Sequence, residues 1–446
     1  MIIFLLSLLL IIKFNNKQID FQFIYYINWI TSYNLTLTLG VDGISLFFIL
    51  LTTFIIPLCI LINWNIITFY EKEFLLLLFL IEFFLLIVFT ALNLFLFYLF
   101  FEAILIPMFI VIGIWGSRRQ KIQAAYQFFL YTLIGSVLML LGILTIYSST
   151  GTTDLIILKN IKFSETRELL LWISLFASFA VKIPMLPVHI WLPQAHVEAP
   201  TAGSVILAAL LLKLGGYGFL RFSLPLFPYA SMYFTPLIYT ISIIGIIYSS
   251  CTTIRQIDLK RIIAYSSVAH MNFATLGLFS NTIQGIEGSL LLMLSHGFVS
   301  TGLSIGVGFL YDRYKTRLLY YYGGIIYIMP ILGIYFLLFT IANIAFPGTS
   351  SFVGEMLILM GVFQNNSSVA FLANIGMILS GIYGIWLYNR IFFYKIKNIK
   401  KYYDLNKREF FIMLPLLIII LILGIKPLLI SSFLQASIIT IINQIK

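Results

Sequence analysis

The sequence predicts an all-α, polytopic membrane protein of about thirteen spanning helices, and three observations carry that prediction. Of 446 residues, 61% are hydrophobic and only 10% are charged. The mean hydropathy is +1.05. The polar residues collect in short stretches between apolar runs of roughly twenty residues, the length that crosses a bilayer. A soluble domain is nearer half apolar and a quarter charged, so a water-facing fold cannot hide this composition.

In chain order the expected spans are 1–12, 43–62, 74–92, 94–114, 124–147, 168–189, 200–220, 234–253, 261–279, 286–310, 325–363, 369–391 and 410–431. The first is short, because twelve residues rise only about 18 Å. Segment 13–42 reads as a polar and aromatic loop, partly interfacial. The run 168–189 is broken at Pro184 and Pro187, and 325–363 is one helix broken at Pro347 and Gly348. A proline removes a donor and clashes with the carbonyl four residues back, so each break frees backbone groups at depth. In the bilayer such backbone is tolerated only beside protein or a wet cavity.

With the N-terminus on a side designated A, 17 of the 27 basic residues fall on side A and 8 on the opposite side B. Lys182 and Lys213 lie inside the membrane. The excess of Lys and Arg makes side A the cytoplasmic or matrix side. The formal charge of +11 therefore reports orientation, not nucleic-acid binding. Cys59 and Cys251 make no ligand spacing and read as small packing residues. No cleavable signal peptide is expected, since Met1–Ile12 lacks a basic flank and a small-residue cleavage site.

The broken helices are the sixth and the eleventh, five apart. An odd repeat length turns the second copy upside down, so two inverted five-helix repeats are expected, a transporter architecture with function at the interrupted helices. The corresponding division is 1–73 for the N-terminal helices and loop, 74–222 and 223–395 for the two repeats, and 396–446 for a loop and final helix.

Five charges stand where the bilayer penalises them by about 2.5–3.5 kcal/mol or more each. They are Glu82, Glu102, Lys182, Lys213 and Glu355. One isolated charge reads equally well as an ion pair joining two helices. Five, two of them beside helix breaks, read better as a path for charge. His270 and His296 add groups that both give and take protons near neutrality. Each alone is as often a helix-to-helix hydrogen bond. His189, His196 and Glu198 superficially resemble a metal site, but Pro193 interrupts their spacing and no further ligand follows, so no metal is expected. Glycines 215, 216 and 218 read as close helix packing.

These residues permit a concrete mechanism. Two unit charges 4 Å apart at an effective dielectric of 20 interact by about 4 kcal/mol. If Glu102 pairs with Lys182, the lysine holds its proton. Once the carboxylate withdraws, the proton can pass towards Lys213 and the histidines.

Several stretches carry a resemblance to a known family. The runs 100–107 around Glu102, 181–218 from Val181 to Gly218, 255–271 from Arg255 to Met271, and 347–355 from Pro347 to Glu355 resemble subunit 4 of respiratory complex I, the proton-translocating NADH:ubiquinone reductase. The resemblance covers about residues 40–395. It implies an antiporter-like subunit with one proton channel, in which Glu102, Lys182, Lys213, His296 and Glu355 line a central polar axis. His270 matches a family histidine, and family members differ at Glu82. NADH, FMN, Fe–S clusters and ubiquinone belong to other subunits, so no cofactor is expected in this chain. The implied partners are neighbouring membrane-arm and antiporter-like subunits and the lipid bilayer, in the mitochondrial inner membrane. The family usually shows fourteen helices, so one near the N-terminus is expected to be missing or shortened. The rival readings are a Mrp-type cation/proton antiporter subunit, a homologue in a photosynthetic complex, and a helical scaffold without transport.

Overall fold

In the computed structural model of the chain, residues 2–30, 35–64, 66–393, 395 and 403–445 are described. The chain opens with α1 (Ile2–Lys13), too short to reach across unaided. Segment 13–42 departs from the loop expectation. It holds an antiparallel hairpin of β1 (Gln22–Ile30) and β2 (Leu35–Val41). The reason is local: Gln-Phe-Ile-Tyr-Tyr-Ile-Asn-Trp-Ile and Leu-Thr-Leu-Thr-Leu-Gly-Val are rich in aromatic and β-branched residues, which fit a pleated surface.

Helix α2 (Gly43–Asn63) starts at a capping box in which Asp42 and Ser45 satisfy each other's backbone N–H. Helix α3 (Glu71–Thr90) follows. The fourth span is divided into α4 (Leu94–Ala103) and α5 (Leu105–Trp115), because Pro107 cannot donate to the preceding turn. After α6 (Lys121–Thr150) and the single turn α7 (Leu155–Leu158), the sixth span is interrupted as expected. Its first half is α8 (Glu165–Lys182) and its second is α9 (Trp191–Glu198). Pro193 does not interrupt α9, because it lies in the first turn, where no N–H is needed.

The next span, Thr201–Leu226, is continuous and buried along its most apolar 18-residue stretch. It alternates α10 (Thr201–Ile206), α11 (Leu212–Gly218) and α12 (Leu224–Leu226) with wide π turns at Leu207–Leu211 and Phe219–Ser223. Helix α13 (Pro228–Tyr233) leads into α14 (Thr235–Arg255), α15 (Leu259–Leu278) and the long α16 (Ile283–Tyr314). The eleventh span is broken into α17 (Pro330–Asn343) and α18 (Ser350–Asn365), with Ala345 and Gly348 at positive φ between them. Helix α19 (Ser367–Phe392) completes this half.

At the C-terminus the sequence reading needs correction. The run 410–431 is cut at Pro427, leaving α20 (Lys407–Ile425), and a separate helix α21 (Leu428–Ile445) follows. Its alternation of apolar and small polar residues had masked it. This helix packs on side-B parts of the bundle, with Phe433 against Phe14, Phe47 and the start of α2 at Gly43, and with α12 and α13 beside it. Lys446, Lys397, Lys400 and Lys401, all used in the charge count, lie outside the described residues.

Alternating crossings require the connections to sort into two ends, and they do. On side A, Ser117 N donates to Glu198 O (3.1 Å), Asp258 bridges Leu318, and Arg313 pairs with Glu409 (2.6 Å). On side B, Leu92 N donates to Thr38 O (2.9 Å), Leu94 N donates to Thr153 O (2.9 Å), and Arg221 pairs with Asp42 (2.5 Å). In each half the helix before the break packs lengthwise on the interrupted one, α6 on α8 and α16 on α18.

Two further readings change. Cys59 is buried, but Cys251 is exposed on the outer face of α14 and does not pack in the core. Arg221, Lys260 and Arg317, counted as loop charges, are buried at the ends of the bundle.

A sided measurement tests the orientation. Protease added to vesicles with the basic-rich side outward should cut between residues 392 and 409, and vesicles of the opposite orientation should be protected. Cutting from the opposite side reverses the assignment.

Candidate functional site

The site grows from the two helix breaks. At the first, Pro184 and Pro187 end α8 just after Lys182. The carbonyls this frees are taken up largely by the protein itself. Met185 N donates to Ala180 O (2.9 Å), and the Trp191 indole donates to Val181 O (3.0 Å). At the second break, the Ser351 hydroxyl donates to Ala342 O. Irregular backbone is thus satisfied inside protein, as the hydrocarbon requires.

Four of the expected residues meet in one continuous chain. Lys213, fully buried on α11, places its ammonium on Ala208 O at 2.5 Å and on His296 Nδ1 at 2.9 Å. The acceptor Ala208 belongs to the wide π turn that precedes the lysine. His296 on α16 and His270 on α15 lie with ring centroids 5.7 Å apart. His270 Nδ1 then meets Glu355 Oε1 on α18 at 3.1 Å. All four side chains are buried. His270 Nε2 and Glu355 Oε2 have no hydrogen-bond partner among the described residues. The Tyr383 hydroxyl stands within electrostatic reach of Glu355 and beside the Asn343 side chain.

Glu102 and Lys182 form a second group. Each is the other's chief charged neighbour. They are not among the direct ion pairs of the described residues, which are Arg118–Asp258, Arg221–Asp42, His270–Glu355 and Arg313–Glu409. The expected contact pair is therefore a separated pair. Lys182 Nζ instead lies 4.5 Å from the centre of the Phe101 ring, a cation–π seat, and donates to no hydrogen-bond partner among the described residues. Ser136 of α6 lies against the Glu102 carboxyl. Glu82 is buried on α3, yet among the described residues no hydrogen bond or ion pair links it to either group.

Glycine packing brings the two groups together. A methyl on Gly215 would stand 2.6 Å from Ile183 Cγ1 and 2.8 Å from Phe179 O, so only glycine lets α11 close on the end of α8 beside Lys182. Gly216 accommodates Met293 in the same way, and Gly218 the Phe179 ring.

The residues that sequence reasoning passed over are Phe101, Ser136, His196 and Lys260. Phe101 and Ser136 carry no signal without a partner in space. His196, set aside as part of a metal-like run, is buried within electrostatic reach of Lys213 and Lys260. Lys260 has a legible signal: it follows the helix-capping Asp258 and so belongs to α15, not to a loop. Among the described residues no three His, Cys, Asp or Glu side chains stand together as a metal site.

The sequence profile described as NADH:quinone oxidoreductase/Mrp antiporter, TM matches residues 91–383. NADH-ubiquinone oxidoreductase chain 4 of Marchantia polymorpha is 61% identical over 96% of this chain and 87% of its own length. The chain 4 of Arabidopsis thaliana is 59% identical over 96% and 87%. This chain belongs to the NADH-ubiquinone oxidoreductase chain 4 family. A chain of respiratory complex I from Thermus thermophilus superposes with a TM-score of 0.91 at 28% identity, covering 99% of this chain and 93% of that one. A chain of the Mrp complex from a Dietzia species shares the fold at 16% identity, with a TM-score of 0.87 and coverage of 99% and 92%. The chain 4 family member is thus a multi-pass membrane protein with the antiporter-like fold, and ten of its helices are long and apolar enough to cross a membrane among the described residues.

A test of the packing follows. Gly215→Val should push α11 from α8 and lower the thermal midpoint of the assembled complex, at a cost of about 1–3 kcal/mol for overpacking. An unchanged midpoint would show that α8 yields freely at this contact.

Proposed function

We propose that this chain is a proton-translocating membrane-arm subunit of NADH:ubiquinone oxidoreductase in the mitochondrial inner membrane. The observation that carries the proposal is the buried chain Lys213–His296–His270–Glu355, in which every neighbour can give or take a proton. The relatives at about sixty per cent identity are named as chain 4 of that oxidoreductase, whereas the Mrp likeness is one of fold alone. A scaffold without transport leaves these buried groups unexplained, since each charge held in hydrocarbon lowers stability.

The geometry suits transfer by change of partner. Lys213 donates to His296 when that imidazole keeps its proton on Nε2. The two imidazoles, with ring centroids 5.7 Å apart, are near enough for a proton to pass from one ring to the other as they turn. His270 then exchanges its Nδ1 proton with Glu355. Glu102 and Lys182, coupled but apart, form the switch: when they approach, the lysine holds its proton, and when they separate it is freed towards Lys213. The two halves, 74–222 and 223–395, are read as inverted repeats, each with an interrupted fourth helix beside its charge. The partners are other membrane-arm subunits, neighbouring antiporter-like subunits above all. NADH, FMN, Fe–S clusters and ubiquinone are placed in other subunits.

Glu102→Gln keeps size and hydrogen bonding but removes the charge. Proton translocation and quinone reduction in sealed vesicles should then both fall, by about tenfold or more. Glu102→Asp should retain much more activity. A Gln variant that assembles on a native gel and pumps at the wild-type rate makes the pair structural. Purified alone, the chain should show no flavin, haem or Fe–S absorbance; stoichiometric iron or flavin would move a redox centre into it.

A further inference from the structure

We propose that a polar cavity on side A, among α6, α9 and α15, is where this chain takes up protons from the matrix, and that Glu198, Lys260 and His196 relay them to Lys213. The proposal rests on the proton-translocating reading above and assigns that site its aqueous mouth.

The cavity has a volume of about 210 Å³ and is lined by Gln120, Gln123, Gln127, Gln194, Glu198 and Arg261 among others. Its walls are the side-A ends of three helices, and Gln120, Gln123 and Arg261 at the rim are exposed. Such a volume holds several waters at roughly 30 Å³ each. An acyl chain is a poor occupant, because it would strip water from six hydrogen-bonding side chains. The inner wall calls for a polar guest. Glu198 is only 3% exposed and its Oε2 meets no partner among the described residues; Gln127 Oε1 is in the same position.

Behind Glu198 the path continues inward. Lys260, 6% exposed, lies within electrostatic reach of Glu198. Its ammonium donates to Ala199 O (2.7 Å) and Ser204 Oγ (3.1 Å) and is in none of the direct ion pairs of the described residues. It is held by neutral acceptors, so no carboxylate locks its proton in place. The Ser204 hydroxyl in turn contacts His196 O (3.2 Å), which ties the histidine to the lysine. His196 is 2% exposed, with Nε2 free of partners among the described residues. It lies within electrostatic reach of Lys260 and Lys213, and His296 feels it as well. His196 thus stands between the cavity and the start of the buried chain.

The transfer balances without any other reactant. The Lys260 ammonium loses one N–H proton to His196 Nε2, giving a neutral amine and an imidazolium. Once Lys213 has passed its own proton to His296, the imidazolium gives a proton to the resulting neutral amine. The Glu198 carboxylate then takes a proton from the matrix through the cavity water, which leaves the matrix one proton poorer, and hands it to the Lys260 amine. The competing role for Lys260 is structural, a fixed positive charge capping the end of α9 at Ala199 O.

Variants of the assembled complex in sealed vesicles separate these roles. Lys260→Arg keeps the charge and the donors but cannot release a proton, whereas Lys260→His can. Relay predicts that Lys260→Arg loses about tenfold or more of the proton flux and that Lys260→His keeps clearly more. Gln194→Cys in a Cys251→Ser background, modified after assembly with a membrane-impermeant thiol reagent from the matrix side, should block flux by plugging the cavity. Lys213→Met serves as the reference. If Lys213→Met abolishes pumping while Lys260→Arg and the plugged cavity both pump normally, the uptake route is wrong and the functional reading stands. Full pumping by Lys260→Arg alone makes that lysine a structural cap and overturns the relay. If Lys213→Met itself pumps normally, the functional reading fails.

Discussion

Hydrocarbon tolerates neither an unpaired charge nor an unpaired backbone group, and the arrangement of helices answers both demands at once. The span bearing Lys213 is enclosed on all sides, so its ammonium finds Ala208 O and His296, not lipid. Where the prolines interrupt α8 and α17, the freed carbonyls are taken up by Met185, by the Trp191 indole and by Ser351. The breaks therefore survive in the bilayer because protein surrounds them, and they leave Lys182 and Glu355 at the interrupted ends, where helices can shift without losing backbone bonds wholesale.

That arrangement also explains why the polar groups fall into two clusters. Lys213, His296, His270 and Glu355 come from four helices, α11, α16, α15 and α18, and follow one another in space, with hydrogen bonds at the two ends and neighbouring imidazoles between. Glu102 and Lys182 belong to the first half, as Lys213 does, and remain apart, with Lys182 resting over Phe101. A fixed contact pair would stabilise one state. A separated pair whose lysine is held by an aromatic face can change its distance at modest energetic cost, which is what a gate needs. Glycines at 215, 216 and 218 bring the helices of the two clusters into contact, and the π turns at Leu207–Leu211 and Phe219–Ser223 loosen the helix between them.

The ends of the bundle are anchored differently. On side B, Arg221 pairs with Asp42 and its Nε donates to the Tyr217 hydroxyl, which donates to Phe89 O, fastening the hairpin side to the buried span. On side A, Arg313 grips Glu409 and the backbone of Tyr403 and Asp404, while Arg118 reaches Asp258. Basic side chains on that side thus do more than set orientation: Lys260 and Arg317 are drawn inward, where Lys260 holds Ala199 O and Arg317 donates to the Ser117 hydroxyl.

Composition, the length of apolar runs, the positions of Pro184, Pro187 and Pro347, and the isolated charges determined the membrane class, the two interrupted helices and part of the buried titratable set, Glu82, Lys182, Lys213, His270, His296 and Glu355. Those features are local, and the bilayer acts on each segment separately. The sequence was silent on the hairpin at 22–41 and on α21, because period-two aromatic strands and a helix seeded with small polar residues lack a long apolar run. Only the tertiary structure decided which charges meet: that Lys213 touches His296, that His270 touches Glu355, that Glu102 and Lys182 stand apart, that Glu82 joins neither, and that Lys260 points inward. Pairing depends on crossing angles and close approaches such as Gly215 against Phe179, which are properties of the packed helices together and of no single segment.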